Sequence, residues 1–166
     1  MQRRRHHRIA LVAAALTLVA LVATGCLPPT PPTPQATIKH CPLDHFKYGQ
    51  GFSATHGGDD LLAPHADPVY AVRDGTLWWW SKGDVGGYSV YLKADDGNTY
   101  YYTHLAPYWD FLEGLTTKVK AGDVIELVDH TGNANGLDHV HFELRLGGPN
   151  GTRVDPWPSL VALNCA

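Results

Sequence analysis

The run His139-Val140-His141-Phe142-Glu143-Leu144-Arg145 alternates apolar residues with imidazole, carboxylate and guanidinium side chains. A β-strand turns successive side chains to opposite faces, so His139, His141 and Glu143 project from one side while Val140, Phe142 and Leu144 project from the other. One face is fitted to a core and the other to chemistry. Upstream lie a further histidine, His104, and a His-x-x-x-Asp pair, His56 and Asp60. A catalytic zinc takes three nitrogen or oxygen ligands from protein and keeps a fourth position open. The chain therefore holds enough donors for such a centre, with two imidazoles to spare.

Outward from this run the pattern is strand after strand. Val69-Tyr70-Ala71-Val72 and Gly75-Thr76-Leu77-Trp78-Trp79-Trp80 are β-prone and meet at the turn residues Asp74-Gly75. Tyr88 to Ala94 and Asn98 to His104 are joined by Asp95-Asp96-Gly97, which suits a hairpin because Asp-Gly tolerates positive φ. Val124 to Val128 adds another strand. Only Tyr108 to Leu115 has a helical look. These features predict an all-β, mainly antiparallel sheet domain with short helical or loop insertions. Strict alternation puts Trp78 and Trp80 on one face, where packing is favoured over ligand stacking. It also puts Tyr102 on the face of His104, as a candidate for the cleft wall, with Tyr101 pointing away.

The 166 residues hold one domain's worth of folded chain. Arg3, Arg4, Arg5 and Arg8 precede an apolar run from Ile9 to about Ala23, the layout of an export signal over residues 1–25 and too short for a confident membrane span. The run ends Leu21-Val22-Ala23-Thr24-Gly25-Cys26, which resembles a bacterial lipobox and implies a lipid on Cys26; ordinary signal cleavage and free secretion is the alternative. Residues 26–40 begin with Leu27-Pro28-Pro29-Thr30-Pro31-Pro32-Thr33-Pro34, an extended polyproline tether. Residues 41–166 form the domain. With Cys26 lipidated, Cys41 and Cys165 remain as a pair, and a bridge between them is expected in an oxidising compartment. Loss of the four signal arginines leaves nine basic against sixteen acidic residues, a formal charge of −7. That balance argues against nucleic acid as a partner, and leaves the lipid as the contact with the membrane.

The motifs in order are specific. His56-Gly57-Gly58-Asp59-Asp60, Tyr102-Thr103-His104-Leu105, Val119-Lys120-Ala121-Gly122-Asp123-Val124-Ile125, Thr131-Gly132 and His139-Val140-His141 together resemble the M23, or lysostaphin/LytM-type, zinc peptidases of bacterial peptidoglycan. The resemblance implies that one Zn2+ is bound by His56, Asp60 and His141, with His104 and His139 as catalytic histidines. It implies an exported endopeptidase that cuts peptide stems or cross-bridges at the outer face of the cytoplasmic membrane. No His-Glu-x-x-His is present, so an imidazole must handle the proton that a glutamate handles in thermolysin-like enzymes.

The chain also departs from the family pattern. Glu126 and Asp129 stand where glycine is usual, and Gly136-Leu137-Asp138-His139-Val140-His141 carries one residue more than the usual Gly-Pro-His-Leu-His. His65-Ala66-Asp67-Pro68-Val69 replaces a Gly-Thr-Pro-Val turn. Asp138 and Glu126 are placed to add negative charge near the groove. His40, His45, His65 and His130 lack motif context and read as ordinary surface histidines, while Glu143 is a candidate for orienting an imidazole. Two other functions fit the composition: a catalytically weak wall-binding or hydrolase-activating module, and a zinc-storage lipoprotein. Retention of all five site residues favours catalysis over both.

Overall fold

The computed structural model describes residues 37–81, 85–107 and 114–165. The expected export signal, Cys26, most of the tether and most of the expected helix at 108–115 lie outside these residues. Among the described residues ten strands and one helix follow in chain order: β1 Lys47–Tyr48, β2 Asp59–Leu62, β3 Pro68–Tyr70, β4 Gly75–Ser81, β5 Tyr88–Ala94, β6 Thr99–Leu105, β7 Thr116–Val119, β8 Val124–Leu127, β9 His139–Leu146, β10 Thr152–Val154 and α1 Trp157–Ala162. The large sheet runs β1-β2-β9-β6-β5-β4-β7, with β10 also on β9, and β3 pairs with β8 in a second small sheet. Every pairing is antiparallel, as the strand and turn pattern predicts.

Alternation sets the faces. Val140, Phe142 and Leu144 of β9 are buried opposite Leu61 of β2 and Tyr102 and Tyr100 of β6. Val90 and Leu92 of β5 and Leu77 and Trp79 of β4 continue the same layer. Val69, Ile125 and Val128 from the small-sheet region close over it, and all belong to one hydrophobic cluster with Leu43 and Leu160. Burying side chains of this size stabilises a fold by about 1.5–3 kcal/mol each, relative to exposure.

The ends of the domain are joined. Helix α1 buries Leu160, whose carbonyl accepts from the Cys165 amide at 3.0 Å. This delivers Cys165 to Cys41, and the two form a disulfide with a Cα–Cα distance of 5.4 Å across 124 positions of chain. A closed loop of that size is worth roughly 4–5 kcal/mol in the chain-entropy account. The helix itself was hidden by its sequence, Pro156-Trp157-Pro158, because proline is tolerated only in a first helical turn.

Candidate metal centre and cleft

The first motif folds around two adjacent aspartates that face opposite ways. In β2, Asp60 lies opposite His141 of β9, on the cleft side, while Asp59 lies opposite Phe142 and is fully buried. Asp59 Oδ1 accepts from the Phe52 amide at 2.9 Å and from the Tyr48 hydroxyl at 3.1 Å, fixing the loop that leads into His56. Burial raises the Asp59 carboxyl above the usual range. Gly58 is required by proximity, because a Cβ there would sit 2.3 Å from the Phe142 carbonyl oxygen.

Three donors converge from these elements. Asp60 Oδ1 is 3.1 Å from His56 Nε2 and 2.9 Å from His141 Nδ1. Four-coordinate zinc with bonds of 2.0–2.1 Å has ligand-to-ligand edges of about 3.3 Å, so the spacing suits that ion. The remaining ring nitrogens set the tautomers. His56 Nδ1 donates to the Gly51 carbonyl at 3.0 Å, leaving Nε2 as the bare donor atom. His141 shows the opposite arrangement: Nε2 lies 3.3 Å from Glu143 Oε1, so Nε2–H donates there and Nδ1 is bare. Burial opposes charge on His141, yet in the protonated ring both nitrogens donate, Nδ1 to Asp60 and Nε2 to Glu143, and these bonds outweigh burial and raise its pKa. Burial likewise opposes charge on Asp60, and the neighbouring histidines overcome it and lower that carboxyl.

Glu143 is buried and multiply held. Its Oε2 accepts from Arg145 Nε at 2.6 Å and Arg153 Nε at 3.0 Å, while Oε1 meets His141. Burial favours its neutral form, but the His141 and arginine contacts prevail and lower its pKa. The Arg145 guanidinium in turn lies 4.8 Å from the Tyr101 ring centre and 5.3 Å from that of Tyr91. Arg145 shares the cleft face with Glu143 by the alternation of β9.

His104 and His139 stand beside the triad. Their ring centres are 4.6 Å apart, and His139 Nε2 is 3.7 Å from Asp60 Oδ1. Each is pinned through Nδ1, His104 to the Thr131 carbonyl at 2.8 Å and His139 to the Leu137 carbonyl at 2.7 Å. With Nδ1–H donating in both, both Nε2 atoms carry lone pairs. Burial, with the like charges of His139 and His141, lowers His104 to about 4, against the opposing pull of the Thr131 carbonyl. Its imidazole is therefore neutral at physiological pH.

The expected role of Tyr102 is corrected by the backbone at His104. His104 has φ of 65°, and the β5–β6 register shifts there, so Thr103 and His104 together stand opposite one residue of β5. This is a β-bulge, which reverses the facing of the residues beyond it. Tyr101 and Thr103 consequently share the cleft face with Glu143 and His141. Tyr102 is fully buried, with its ring centre 5.1 Å from that of Phe142. His104 reaches the cleft only through the bulge. Thr131-Gly132 supports it: Thr131 Oγ1 donates to the Leu105 carbonyl, and a Cβ on Gly132 would lie 2.5 Å from Gly87 N.

Glu126 does not charge the groove. It is buried on β8 beside Trp79, and burial pushes its carboxyl up to about 8, against pulls from the Leu127 backbone and the Trp79 indole. It is neutral at pH 7. Trp79 belongs to the core, whereas Trp78 takes the cleft face, its ring centre 6.0 Å from that of Tyr91. The side chain of Trp80 lies outside the described residues.

The cleft has a volume of about 770 Å³ and is open along the sheet face. Fold and donors together define an antiparallel β-domain with a His/Asp candidate metal centre. The chain belongs to peptidase family M23, whose profile it matches over residues 54–156. The peptidoglycan DD-endopeptidase ShyC of Vibrio cholerae is 30% identical over 93 residues, covering 56% of this chain and 21% of that protein. The chain thus matches about a fifth of that curated relative's length. The catalytic domain of the antimicrobial peptidase lysostaphin from Staphylococcus simulans superposes with a TM-score of 0.62 at 28% identity, over 70% of this chain and 92% of that domain. The catalytic domain of the prophage-encoded M23 protein EnpA from Enterococcus faecalis gives a TM-score of 0.51 at 33% identity, covering 68% and 85%.

Proposed function

We infer that this protein is a zinc metalloendopeptidase that hydrolyses peptide stems or cross-bridges of bacterial peptidoglycan. The observation that carries this is the division of five cleft residues into two kinds. His56, Asp60 and His141 present bare donor atoms to one point, and His104 and His139 present Nε2 lone pairs beside it. A bound zinc supplies a Lewis acid that acidifies water and polarises a carbonyl. His139 accepts the proton of the attacking water at Nε2 and returns it to the leaving amine nitrogen. His104, whose basicity is too low to hold that proton, orients the water through its Nε2 lone pair. Glu143 keeps His141 in the Nδ1-bare tautomer, and the arginines hold Glu143.

The same reading assigns residues 1–25 to an export signal, Cys26 to lipidation and residues 26–40 to a tether that holds the domain in the cell envelope. It is supported by the basic and apolar layout of the first residues and by the Cys41–Cys165 bridge, which fits an oxidising compartment. Mass mapping of protein purified from membranes tests it, with a lipid-modified Cys26 as the expected N-terminus and an unmodified one overturning the anchor. For activity, the zinc-loaded protein is incubated with purified peptidoglycan and the released fragments are identified by mass spectrometry. New peptide amino termini that fail to appear with His139→Ala support the peptidase. No new termini from the wild type favour the wall-binding or hydrolase-activating module, and equal products from both overturn the role assigned to His139.

A further inference from the structure

A second group of donors lies on the loops that lead out of β2 and β8 and into β9, and includes His65 and His130, which read as ordinary surface histidines in the sequence. His65 follows β2, Asp129 and His130 follow β8, and Asp138 immediately precedes β9. His130 Nδ1 is 2.7 Å from Asp138 Oδ1 and 3.2 Å from Asp129 Oδ1. His65 Nδ1 is 3.4 Å from Asp138 Oδ1 and 3.6 Å from Asp129 Oδ1. All four atoms lie within 4.8 Å of one another. These separations scatter around the edge of about 3.3 Å that a tetrahedral ion with 2.0–2.1 Å bonds imposes.

We propose that His65, Asp129, His130 and Asp138 form a second transition-metal site, of the zinc class, distinct from the His56, Asp60 and His141 centre. Two imidazole nitrogens and two carboxylate oxygens suit zinc and its borderline neighbours, whereas magnesium and calcium prefer oxygen alone. Two carboxylates against two neutral imidazoles also match the charge of a divalent cation. The framework is fixed without the ion: Ala66 N donates to the Val128 carbonyl and Val128 N to the Asp67 carbonyl, each at 2.9 Å. These bonds hold the His65 turn against the start of the Asp129-His130 segment. Three of the four donors, His65, Asp129 and Asp138, stand at points where the chain departs from the M23 pattern.

Its position gives the ion a purpose. The His139 amide donates to the Asp129 carbonyl at 3.2 Å, and Asp138 is the residue before His139. An ion held here clips the turn after β2 to both ends of the 129–138 loop, which carries Thr131 and Leu137, the carbonyl partners of His104 and His139. It braces the loop that aims those two imidazoles.

The competing account of the same geometry is ion pairing between protonated histidines and the aspartates. Metal content separates the two. The disulfide-intact chain is dialysed against buffered micromolar free zinc at pH 7.5 and its bound zinc counted, then titrated with Co2+ and followed by visible absorption. Two equivalents are expected for the wild type, one for the His65→Ala/His130→Ala double variant, one for His141→Ala and none for the combined triple variant. The double variant alters exposed side chains and is checked for an unchanged thermal transition. A wild type that binds one equivalent, or a double variant that keeps two, overturns the second site. Because the count is independent of peptide cleavage, it stands or falls apart from the proposed enzymatic activity.

Discussion

The two histidine clusters are neighbours in space and opposites in construction. In the cleft, His104, His139 and His141 are shielded by the sheet, and each is tied by one ring nitrogen to a carbonyl or to Glu143. In the outer cluster, the side chains of His65 and His130 are 58% and 48% exposed, and their polar partners are two aspartates on loops. Strands therefore fix the tautomer and aim of the inner imidazoles before anything binds. Loops leave the outer ones close in distance but free to be completed by a proton or a cation. Pre-organisation of this kind is what aiming a reacting group requires, and the outer cluster lacks it.

The largest test of the contrast is loss of the inner donors. His141→Ala and Asp60→Ala are expected to lose the inner zinc and all activity, while His139→Ala retains that zinc and loses activity by about 10²–10⁴-fold. Metal analysis beside a cleavage assay checks this, and a His139→Ala protein as metal-poor as His141→Ala would break the assigned division of labour.

Next in size is a pH effect of opposite sign in the two clusters, measured with chelator present. His104 titrates near 4 in the fold against 6.5 in the open chain. Between those values the unfolded state binds the extra proton, so stability falls as pH drops from about 6.5 towards 4, by up to about 3 kcal/mol. His104→Gln should remove that acid loss from denaturant midpoints. An unchanged acid limb would place the cause elsewhere.

Glu143→Gln sharpens the contrast further. It keeps the shape while removing the charge that holds the His141 tautomer, and it should weaken inner zinc by about 10–100-fold without unfolding the domain. Competition with a zinc indicator reads this directly. The smallest effect belongs to His130, whose pKa is raised by its hydrogen bond to Asp138 and by nearby Asp129. Its contribution is present below pH 6.5 and disappears as pH rises through the folded value, so His130→Gln should destabilise slightly at pH 5.5 and not at pH 8.5. A loss larger at alkaline pH would reverse the assigned sign.

Strands with clear alternation were legible, as in β4, β5 and β9, because one face of each lies on the core. Strand β2 was not, since Asp59-Asp60-Leu61-Leu62 hides its period behind two aspartates with opposite duties. Tyr102 was misplaced because parity counts assume an unbroken strand, and the positive φ of His104 leaves no mark in residue type. The five inner residues could be gathered from motif order. The outer four could not, since they come from three separate segments, and the small sheet that assembles them is a tertiary fact. Ala66 illustrates the same limit: it adopts φ of 65° where the family turn uses glycine.

The Cys41–Cys165 bridge also has a mechanical meaning. A pull on the chain meets the domain first at Ile38, buried in the core, and at Lys39 and His40, whose amides donate to the Val72 carbonyl; past them it reaches Cys41 and is shared covalently with Cys165, hence with α1 and the buried Leu160. One branch leads towards the edge strand β1 and the other to the helix. Neither can be peeled while the other holds. A domain so fastened yields to such a pull only when both attachments give together.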